Sequence, residues 1–523
     1  MAIIGLGGLL GDAACAVLHN GELKAAIEEA KLTRNGTHGG IPQAAIAECL
    51  KLAGLTRDHV DCVAIVRPFA LGSETEFHLS LRDQFPKAEI IVVDHHQAHA
   101  ASAFFASPFE EAIVLTLDHA GDFRCGSRWH AEGTQVQVDR EWYYPDSLGR
   151  LYGAVTALLG FQAGAEEHKV QWLSASGEDI YSSVFRDIIA DNARLDPSYF
   201  GGHGSIGGGL NQKFMDRLGL PAPIPPRAAA AIARSLQRTV EDTVMTLAGE
   251  GGNLCLAGGL FMNVLLVEAL ERSGRWKNVY VQPAAGNAGT AVGAVYHVWH
   301  QLRHHPRRIG PGSMLLGPSY GAEEIKQTLE NCKLRFQYIR SQDEMLATAV
   351  RMLGEHKILA WMHGRMEFGP RALGNRSILA SPLDPYSTEN LNVFIKHREP
   401  FRKFAASVPA EVAGQYFDVG PNARNLATVG RVRLEYKKTF AGAILGDGSG
   451  GDMIRAHVVH ESDNALYHKL LLEAGKATGL PVLYNTSFNL FGDPLVSTPR
   501  DAVRSFYSSG IDALFVGNFL LEK

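Results

Sequence analysis

The amino-acid sequence predicts an α/β protein in which two related α/β halves are followed by a second domain. Three observations predict this fold class. A strand–turn–strand pattern opens the chain and recurs downstream, so that Gly11-Asp12 and Gly121-Asp122 occupy matching places. Apolar segments of strand length alternate with segments of helical periodicity. Residues 304–319 carry three prolines and three glycines, which is typical of a linker, and a second domain is expected to begin near Gly321.

The composition is that of a globular protein whose partners are small molecules. The 523 residues carry a net charge of −5, which argues against a nucleic-acid or anionic-membrane surface. The six cysteines are scattered without a CxxC pair, as expected of a reduced intracellular chain. No basic residue precedes Lys24, and no apolar run is long enough to span a membrane. We therefore expect a cytoplasmic protein.

The first elements follow from the alternation of apolar and polar residues. Residues 2–30 predict three strands, the last two joined at Asn20-Gly21. Residues 41–53 have helical periodicity, and "HVDCVAIVR" and "EIIVVDH" predict buried strands. The later segment "EAIVLTLDHAGDFRCGSRWHAEG" repeats the hairpin. Two facing hairpins of this kind are the layout of the actin, hexokinase and Hsp70 class, which holds nucleotide phosphates between them. Two unrelated hairpins are the alternative.

A histidine pair is the first candidate site. His95 and His99 are four residues apart on a predicted helix capped by Asp94, so both rings lie on one face. Asp118 ends an apolar strand at the mouth of a glycine turn, where α/β proteins keep polar chemistry. Two imidazoles and a carboxylate suit a divalent ion with open positions. The alternative is a histidine-rich face that is hydrogen-bonded in the interior.

Glycine loops form the second candidate site. Gly258-Gly259 follows a strand, and Gly286-Asn287 precedes a helix of small residues. Such glycines let backbone amides approach a phosphate or adenosine at a helix start, although each could equally be a tight turn. The glycine-rich stretch of residues 200–210 is either a lid or a plain loop. A formal GxGxxG at residues 446–451 precedes a strand rather than a helix, so it is rejected as a dinucleotide motif.

The strongest candidate is a basic segment late in the chain. From Arg365 to Lys403 there are seven Lys or Arg residues against four acids, and five of the seven are Arg. Arginine binds phosphate or carboxylate in a two-pronged way, so this excess in an acidic chain indicates a polyanionic substrate. A solvated basic face is the alternative. Downstream, "GLPVLYNTSFN" leads a strand into small polar residues, which indicates a binding loop or an ordinary turn.

Together these segments resemble the O-carbamoyltransferases of nodulation-factor and antibiotic biosynthesis. The resemblance runs through nearly the whole chain in the family's order. "GPRALGNRS" with "NTSFN" is highly specific, whereas the glycine loops are not. The resembling strings are "VDHHQAHAASAF", "LTLD", "LAGGLFMN", "PAAGNAGTAVGA", "GRMEFGPRALGNRSILA", "KHREPFRKF" and "NTSFN".

The resemblance implies two domains that share one reaction. Residues 1–312 would form a duplicated actin-like domain, similar to the tRNA threonylcarbamoyl-transferring proteins, and residues 320–523 a C-terminal α/β domain of the YrdC type. The C-terminal domain would make carbamoyl-adenylate from the co-substrates ATP and carbamoyl phosphate. The intermediate would pass inside the protein to the N-terminal domain, where a small-molecule hydroxyl acceptor takes the carbamoyl group near a divalent metal, either iron or else magnesium, manganese or zinc. It implies no nucleic-acid or membrane partner and leaves the oligomeric state open.

The site residues implied by the matching motifs fall into three sets. The metal set, which is also catalytic, comprises His95, His99 and Asp118. The nucleotide or carbamoyl-adenylate set comprises Lys169, Gly258, Gly259, Asn263 and Asn287. The carbamoyl phosphate and ATP set comprises Arg371, Lys396, Arg402, Arg455, Asn485 and Ser487, with Lys396 also catalytic.

The chain departs from the family pattern in the transfer domain. Asn287 stands where the family has its last metal aspartate, Leu10 stands where it has a histidine, and "SASG" replaces "APYG". His96 and His119 are both candidates for deprotonating the acceptor. The alternatives are a tRNA threonylcarbamoyl-type enzyme and an actin-like nucleotide-binding protein without chemistry.

Overall fold

The structure is a computed structural model that describes residues 1–36, 39–67, 73–201, 209–221, 224–307, 312–446, 452–490 and 492–523. Most of the glycine-rich stretch predicted as a lid or loop, residues 202–208, lies outside the described residues, as does part of the predicted linker, residues 308–311. None of the helices in the described ranges is long and apolar enough to cross a membrane.

The first sheet is built from five strands near the N-terminus. They are β1 (Ala2–Gly7), β2 (Ala14–His19), β3 (Glu22–Glu28), β4 (Cys62–Val66) and β5 (Glu89–Val93). Their order is β3-β2-β1-β4-β5, with β1 antiparallel to β2 and parallel to β4. Ile3 and Ile4 point to opposite faces and are both fully buried, because helices cover the sheet on both sides. The predicted strands and the helix at residues 43–53 are confirmed.

The second sheet repeats this topology. Its strands are β6 (Glu111–Gly121), β7 (Arg124–Glu132), β8 (Gln135–Tyr143), β9 (Gly251–Ala257) and β10 (Trp276–Val281). Their order is β10-β9-β6-β7-β8, with β6 antiparallel to β7 and parallel to β9. The first three strands therefore form a meander and the last two run parallel to its first strand, as in the first sheet. Asp12 and Asp122 both adopt positive φ at the matching turns, so the duplication predicted from the sequence is confirmed.

Eleven named helices pack around these sheets in the described part of the N-terminal region. They are α1 (Glu29–Thr33), α2 (Gln43–Ala53), α3 (Ser73–Gln84), α4 (His95–Ala106), α5 (Leu148–Leu158), α6 (Glu167–Ser174), α7 (Ser182–Ile188), α8 (Gln212–Leu218), α9 (Pro226–Ala248), α10 (Val264–Arg272) and α11 (Thr290–Tyr296). α4 and α11 touch backbone to backbone, since a Cβ on Gly293 would lie 1.8 Å from the carbonyl oxygen of Ala98. This close crossing explains the run of alanines after the histidines.

The C-terminal region forms one long mixed sheet. Its strands are β11 (Gln337–Tyr338), β12 (Leu359–Met362), β13 (Arg376–Ala380), β14 (Ala405–Pro409), β15 (Phe417–Asp418), β16 (Gly430–Val432), β17 (Leu445–Gly446), β18 (Asp452–Val459), β19 (Leu483–Ser487), β20 (Ala513–Val516) and β21 (Phe519–Glu522). The order is β11-β21-β20-β12-β13-β19-β14-β18-β16-β15, and β17 pairs with β18.

Six helices accompany this sheet among the described residues. They are α12 (Ala322–Asn331), α13 (Gln342–Gly354), α14 (Ser387–Asn390), α15 (Ala413–Tyr416), α16 (Ala465–Thr478) and α17 (Pro499–Tyr507). α12 begins directly after Gly321, the residue near which a second domain was expected. The domain boundaries at 312 and 320, and the assignment of this region to the YrdC type, stay predictions.

The two regions are joined by basic side chains, of which Lys31 is buried and Arg365 is half-buried. Lys31 Nζ donates to the carbonyl oxygens of Glu367 and Gly369 at 2.9 and 2.7 Å. Arg365 Nη2 donates to the carbonyl oxygen of Lys24 at 2.8 Å. These bonds fix the first hairpin against the "GRMEFGPR" loop and thereby hold the candidate sites of the two regions in register.

Candidate active site

The predicted histidine pair lies at the start of α4 and meets Asp118 at the end of the buried part of β6. His95 Nε2 is 3.0 Å and His99 Nε2 is 3.1 Å from Asp118 Oδ2, and the two ring nitrogens are 3.1 Å apart. His99 is fully buried and Asp118 is nearly so. Among the described residues this is the one group of His, Cys, Asp or Glu side chains whose ligand atoms converge.

The donor atoms of this group fit a divalent ion. At metal–ligand distances of about 2.1 Å, neighbouring donors lie about 3.0 Å apart in an octahedron and about 3.4 Å apart in a tetrahedron. The measured separations match one face of an octahedron, a two-histidine, one-carboxylate arrangement that leaves further positions open and also suits iron(II). Burial raises the pKa of Asp118, but hydrogen bonds from His95 and His99 outweigh it and hold that pKa well below its usual range. The carboxylate is therefore ionised.

The helix start differs from the prediction. α4 begins at His95 as expected, but the side chain of Asp94 makes no capping hydrogen bond, so the predicted cap is wrong. Asp94 instead pairs with Arg67 at 2.9 Å and Arg124 at 3.2 Å, two stronger charged partners than a helix amide. Asp122, from the β6–β7 turn, accepts the backbone N–H of His95 at 2.7 Å in its place.

The structure separates the two histidines considered as proton acceptors. His96 is fully buried, with Nδ1 2.9 Å from Thr116 Oγ1 and Nε2 3.3 Å from the carbonyl oxygen of Arg124. Both ring nitrogens are thus engaged in the core, and His96 is unavailable to an acceptor. His119 is exposed, and desolvation in the cleft lowers its pKa, so the ring is neutral at pH 7.

The glycine loops meet the end of β6. Gly258 has φ of +101°, and a Cβ there would lie 2.1 Å from the carbonyl oxygen of Leu117. A Cβ on Gly259 would lie 2.9 Å from Asp118 Oδ1, so both glycines border the metal candidate. Asn263, which was predicted to line the adenylate, has a structural role here. Its Oδ1 caps α10 by accepting from the N–H of Leu266 at 3.1 Å, and its Nδ2 donates to Gln237 at 2.7 Å.

The second glycine loop touches the first. A Cβ on Gly286 would lie 2.9 Å from Met262 Sδ, and a short helical turn follows at Asn287–Gly289. Asn287 is half-buried, and its carbonyl oxygen accepts the hydroxyl of Thr290 at 2.6 Å. The two loops therefore form one floor beside Asp118, where the sequence predicted a nucleotide cleft. A further acid, Asp12, is exposed at the first hairpin turn, and desolvation by its surroundings and then the charge of Asp118 raise its pKa.

A group of cationic side chains forms the second site, which we call the cationic cluster. It comprises Lys169, Arg371, Lys396, Arg398, Arg402 and Arg455, with the ring of His168 beside them. Burial, followed by the charges of Arg371, Arg398 and Arg402, holds the pKa of Arg455 well below its usual range. Burial, Arg398 and Arg402 do the same for Lys396. Mutual repulsion of this kind indicates more positive charge than the surrounding residues neutralise.

Several donors of the cationic cluster lack a partner. Arg455 Nε and one Nη of Arg398 are buried and make no hydrogen bond to a described residue. Arg455 lies over Trp172 at 5.3 Å and Arg398 over Phe404 at 4.3 Å, so aromatic rings hold the two guanidinium groups. Buried donors without acceptors are costly, so an anion would suit the cluster.

Helix α6 brings the N-terminal region into the cationic cluster. Lys169 Nζ lies 2.7 Å from a carboxylate oxygen of Glu166 and 2.6 Å from one of Glu399, which belongs to the C-terminal region. Burial and then Arg402 and Arg371 lower the pKa of the neighbouring His168 to about 4. Glu167, at the start of α6, is close enough to His119 for its negative charge to raise the pKa of that ring. The same helix therefore borders both candidate sites.

The NTSFN loop supports Lys396. The Nζ of Lys396 donates to the carbonyl oxygen of Ser487 at 2.6 Å and to Oδ1 of Asn489 at 2.6 Å. The hydroxyl of Ser487 also bonds Asn489 Oδ1, at 2.6 Å. Asn485 Nδ2 donates to the carbonyl oxygen of Ala372 at 3.1 Å, while its Oδ1 is buried without a partner among the described residues.

Two arginines of the basic segment have structural roles instead. Arg376 is fully buried, and its guanidinium donates to the carbonyl oxygens of His363, at 2.7 Å, and Pro318, at 3.1 Å. Arg365 donates to Lys24 and Leu316 across the regional interface. The number of arginines in the basic segment could not show which of them bind backbone carbonyl oxygens and which are free to bind a ligand. His168, Trp172 and Arg398 were missed as site residues; their signal was proximity to Lys169 and Lys396 in the chain.

Comparisons with known proteins match both regions of the chain to one family. A family model described as carbamoyltransferase N-terminus matches residues 70–296, and one described as carbamoyltransferase C-terminus matches residues 350–523. The nodulation protein NolNO of Sinorhizobium fredii is 31% identical over 98% of this chain and 79% of its own length. The 3'-hydroxymethylcephem-O-carbamoyltransferase of Streptomyces clavuligerus is 28% identical over 56% of this chain and 53% of its own length. The uncharacterized protein sll1178 of Synechocystis is 33% identical over 100% of this chain and 96% of its own length.

Proposed function

The chain belongs to the carbamoyltransferase family, and from this premise we propose that it is an ATP-dependent O-carbamoyltransferase acting on a small metabolite. In this proposal the C-terminal region, of the YrdC type, forms carbamoyl-adenylate, and the N-terminal region passes the carbamoyl group to a hydroxyl of the acceptor. The cephem O-carbamoyltransferase relative supports transfer to oxygen. A cytoplasmic location belongs to the same proposal, supported by six free cysteines, five of them buried.

The observation that carries the proposal is the cationic cluster. Arg371, Arg402 and Arg455 crowd together in a chain whose net charge is negative, and buried donors there lack acceptors. ATP and carbamoyl phosphate supply the missing negative charge. Guanidinium groups bind phosphoryl oxygens in two-pronged fashion and stabilise the charge that moves between them during phosphoryl transfer.

The activation step balances as follows. Water cleaves carbamoyl phosphate to carbamate and phosphate, and a carbamate oxygen then attacks the α-phosphorus of ATP. The bond from that phosphorus to the β-phosphate bridging oxygen breaks, and pyrophosphate leaves. Lys396, held by Ser487 and Asn489, and the arginines around it bind the phosphoryl oxygens. α6 borders both sites, and the proposal requires that the mixed anhydride, which water destroys, passes between them without release into solvent.

In the transfer step the acceptor oxygen attacks the carbamoyl carbon. The bond from this carbon to the AMP oxygen breaks, AMP leaves, and the hydroxyl proton passes to a base. His119 is the neutral, exposed imidazole next to Asp118 and takes this proton. Gly258 and Gly259 let their loop pack directly on β6, since any side chain there would collide with that strand, and this brings the loop backbone next to Asp118, where the proposal places the adenylate.

A divalent ion belongs to the proposal. His95, His99 and Asp118 would hold it, and their convergent donor atoms fit an ion with open positions. When bound, such an ion supplies Lewis-acid polarisation of the carbamoyl carbonyl or of phosphate oxygens. The neutral amide of Asn287 offers an oxygen in the adjoining loop.

The test separates activation from transfer. Pyrophosphate release from ATP should depend on carbamoyl phosphate and should fall sharply in Arg371→Ala and Lys396→Ala. The exposed Arg351, which pairs only with Glu355 among the described residues, gives the matched control Arg351→Ala, and we expect it to behave like wild type. His95→Ala should keep pyrophosphate release and lose transfer, followed as carbamoyl mass added to a panel of hydroxylated metabolites.

Three outcomes would contradict the proposal. Pyrophosphate release that does not need carbamoyl phosphate would favour an actin-like ATPase. Transfer to tRNA but to no small hydroxyl compound would favour the threonylcarbamoyl type. Loss of pyrophosphate release in His95→Ala would show that the two regions do not divide the reaction in this way.

A further inference from the structure

Arg150 is a buried cation outside both sites described above. It lies in the first turn of α5 and is 7% exposed. Its guanidinium carbon is 4.3 Å from the ring centre of Phe200 and 5.7 Å from that of Tyr144. Aromatic faces therefore hold the group in place without neutralising its charge.

The side chain of Arg150 makes no hydrogen bond or ion pair to any residue that the structure describes. Its Nε is buried without a hydrogen bond, and no carboxylate or carbonyl of a described residue pairs with the group. Nε is also unpartnered in Arg376 and Arg307, but their terminal guanidinium nitrogens donate to four and three carbonyl oxygens respectively, whereas those of Arg150 donate to no described residue. A buried guanidinium nitrogen without a partner is costly, and no described carboxylate balances the charge of the group, so its retention points to a ligand that supplies the negative charge.

Arg150 is adjacent to the proposed transfer site. The hydroxyl of Ser147, which caps α5, donates to the carbonyl oxygen of Asp118 at 3.1 Å. A Cβ on Gly149 would lie 3.0 Å from the backbone nitrogen of His119, so the start of α5 touches these two residues. The His119 and Tyr144 rings are 6.4 Å apart. The positive end of a helix with eleven residues adds to the attraction for an anion.

We propose that Arg150 is a binding residue for an oxyanion at the transfer site, contributed either by the phosphate of the adenylate or by a carboxylate on the acceptor. This inference deepens the proposed function and rests on it for the identity of the ligand. The planar guanidinium, which lies over two aromatic rings, suits the two oxygens of either group. Arg150 thereby selects the ligand rather than taking part in bond making.

The test uses the full chain and two pairs of probes that differ by one anionic group. The pairs are AMP with adenosine, and 4-(hydroxymethyl)benzoate with benzyl alcohol. Thermal unfolding and titration calorimetry are measured on wild type, Arg150→Met and Arg150→Lys. Arg140→Met is the matched control, because Arg140 also lies over an aromatic ring but is exposed and hydrogen-bonded to Asn192.

We expect the anionic member of at least one pair to bind wild type more tightly. Arg150→Met should weaken that anion about tenfold or more without affecting the neutral member. Arg150→Lys should keep part of the preference, and Arg140→Met should keep all of it. A preference for AMP that is lost in Arg150→Met identifies the adenylate phosphate, and a lost preference for the benzoate identifies an acceptor carboxylate.

Three results would overturn the inference. They are no anion preference in wild type for either pair, a preference that survives in Arg150→Met, and an Arg150→Met protein that is unfolded or several degrees less stable without any probe. The last result would make the guanidinium a structural group. The proposed function is judged separately, by whether wild type releases pyrophosphate from ATP when carbamoyl phosphate is added.

Discussion

The ion pair between Lys169 and Glu399 gives the sharpest stability prediction, because removing the lysine should destabilise the protein more than removing the carboxylate. Lys169 Nζ lies 2.7 Å from Glu166 and 2.6 Å from Glu399, and the lysine side chain is 15% exposed. Glu399 also lies 3.7 Å from Arg402. The perturbations are Lys169→Met and Glu399→Gln, each alone and both together.

The structure sets the size of each effect. Lys169→Met leaves two carboxylates facing each other without a cation between them, and we expect it to lower the free energy of unfolding by about 2 kcal/mol. Glu399→Gln leaves Lys169 paired with Glu166, and for these partly exposed groups we expect a loss of only ~0.5 kcal/mol. The double variant should lose less than the sum, with a coupling energy of about 1 kcal/mol.

Urea unfolding of the four proteins measures the cycle. The i,i+4 pair of Arg351 and Glu355 provides an exposed control, and Arg351→Met should change the free energy of unfolding by less than about 0.5 kcal/mol. Equal losses in Lys169→Met and Glu399→Gln, or a coupling energy of zero, would refute the reasoning that Lys169 bridges two carboxylates across the regional interface.

Four further predictions follow from buried groups. Arg455→Met should lower kcat/KM for pyrophosphate release by about 10- to 150-fold, since a charged hydrogen-bond donor is lost; an unchanged value contradicts the anion site. Gly293→Ala places a Cβ 1.8 Å from the carbonyl oxygen of Ala98 and should cost about 1–3 kcal/mol in a thermal melt. Burial raises the pKa of Glu241 from 4.5 to about 7, so between these pH values the folded chain keeps a proton that the unfolded chain releases. The free energy of unfolding of wild type should therefore fall as the pH rises from 4.5 to 7. A plot of Tm against pH should lack that fall in Glu241→Gln. His99→Ala should lower the metal content of the purified protein by elemental analysis, and equal content contradicts the site.

Much of the fold could be predicted from local patterns. Strand lengths, turn residues and the repeated hairpin predicted the duplication, because the side-chain period and the left-handed turn positions are written in the chain itself. The convergence of His95, His99 and Asp118 followed from helical spacing and from a strand end. These are short-range features, and each depends on residues close in sequence or on one known supersecondary arrangement.

Other parts of the site could not be predicted. Asp94 was expected to cap α4, yet it turns to Arg67 and Arg124, while Asp122 takes the cap position from another hairpin. Arg376 belongs to the same basic segment as Arg371, but its guanidinium donates hydrogen bonds to backbone carbonyl oxygens. In both examples the residue type and its place in the motif fitted the predicted role as well as the observed one. Competing partners from distant segments decided the outcome.

The sequence by itself determined the strands, the repeated hairpin, the helix that bears the two imidazoles and the excess of late arginines, since these depend on periodicity and composition. Tertiary structure alone decided which charges remain without a partner. Nothing in the sequence singles out Arg150, and the motif that names Arg455 does not show whether its charge is balanced; in the fold, the Nε of each is buried and has no partner among the described residues. Charge balance in a buried place is a property of all the segments that meet there, and no single segment contains it.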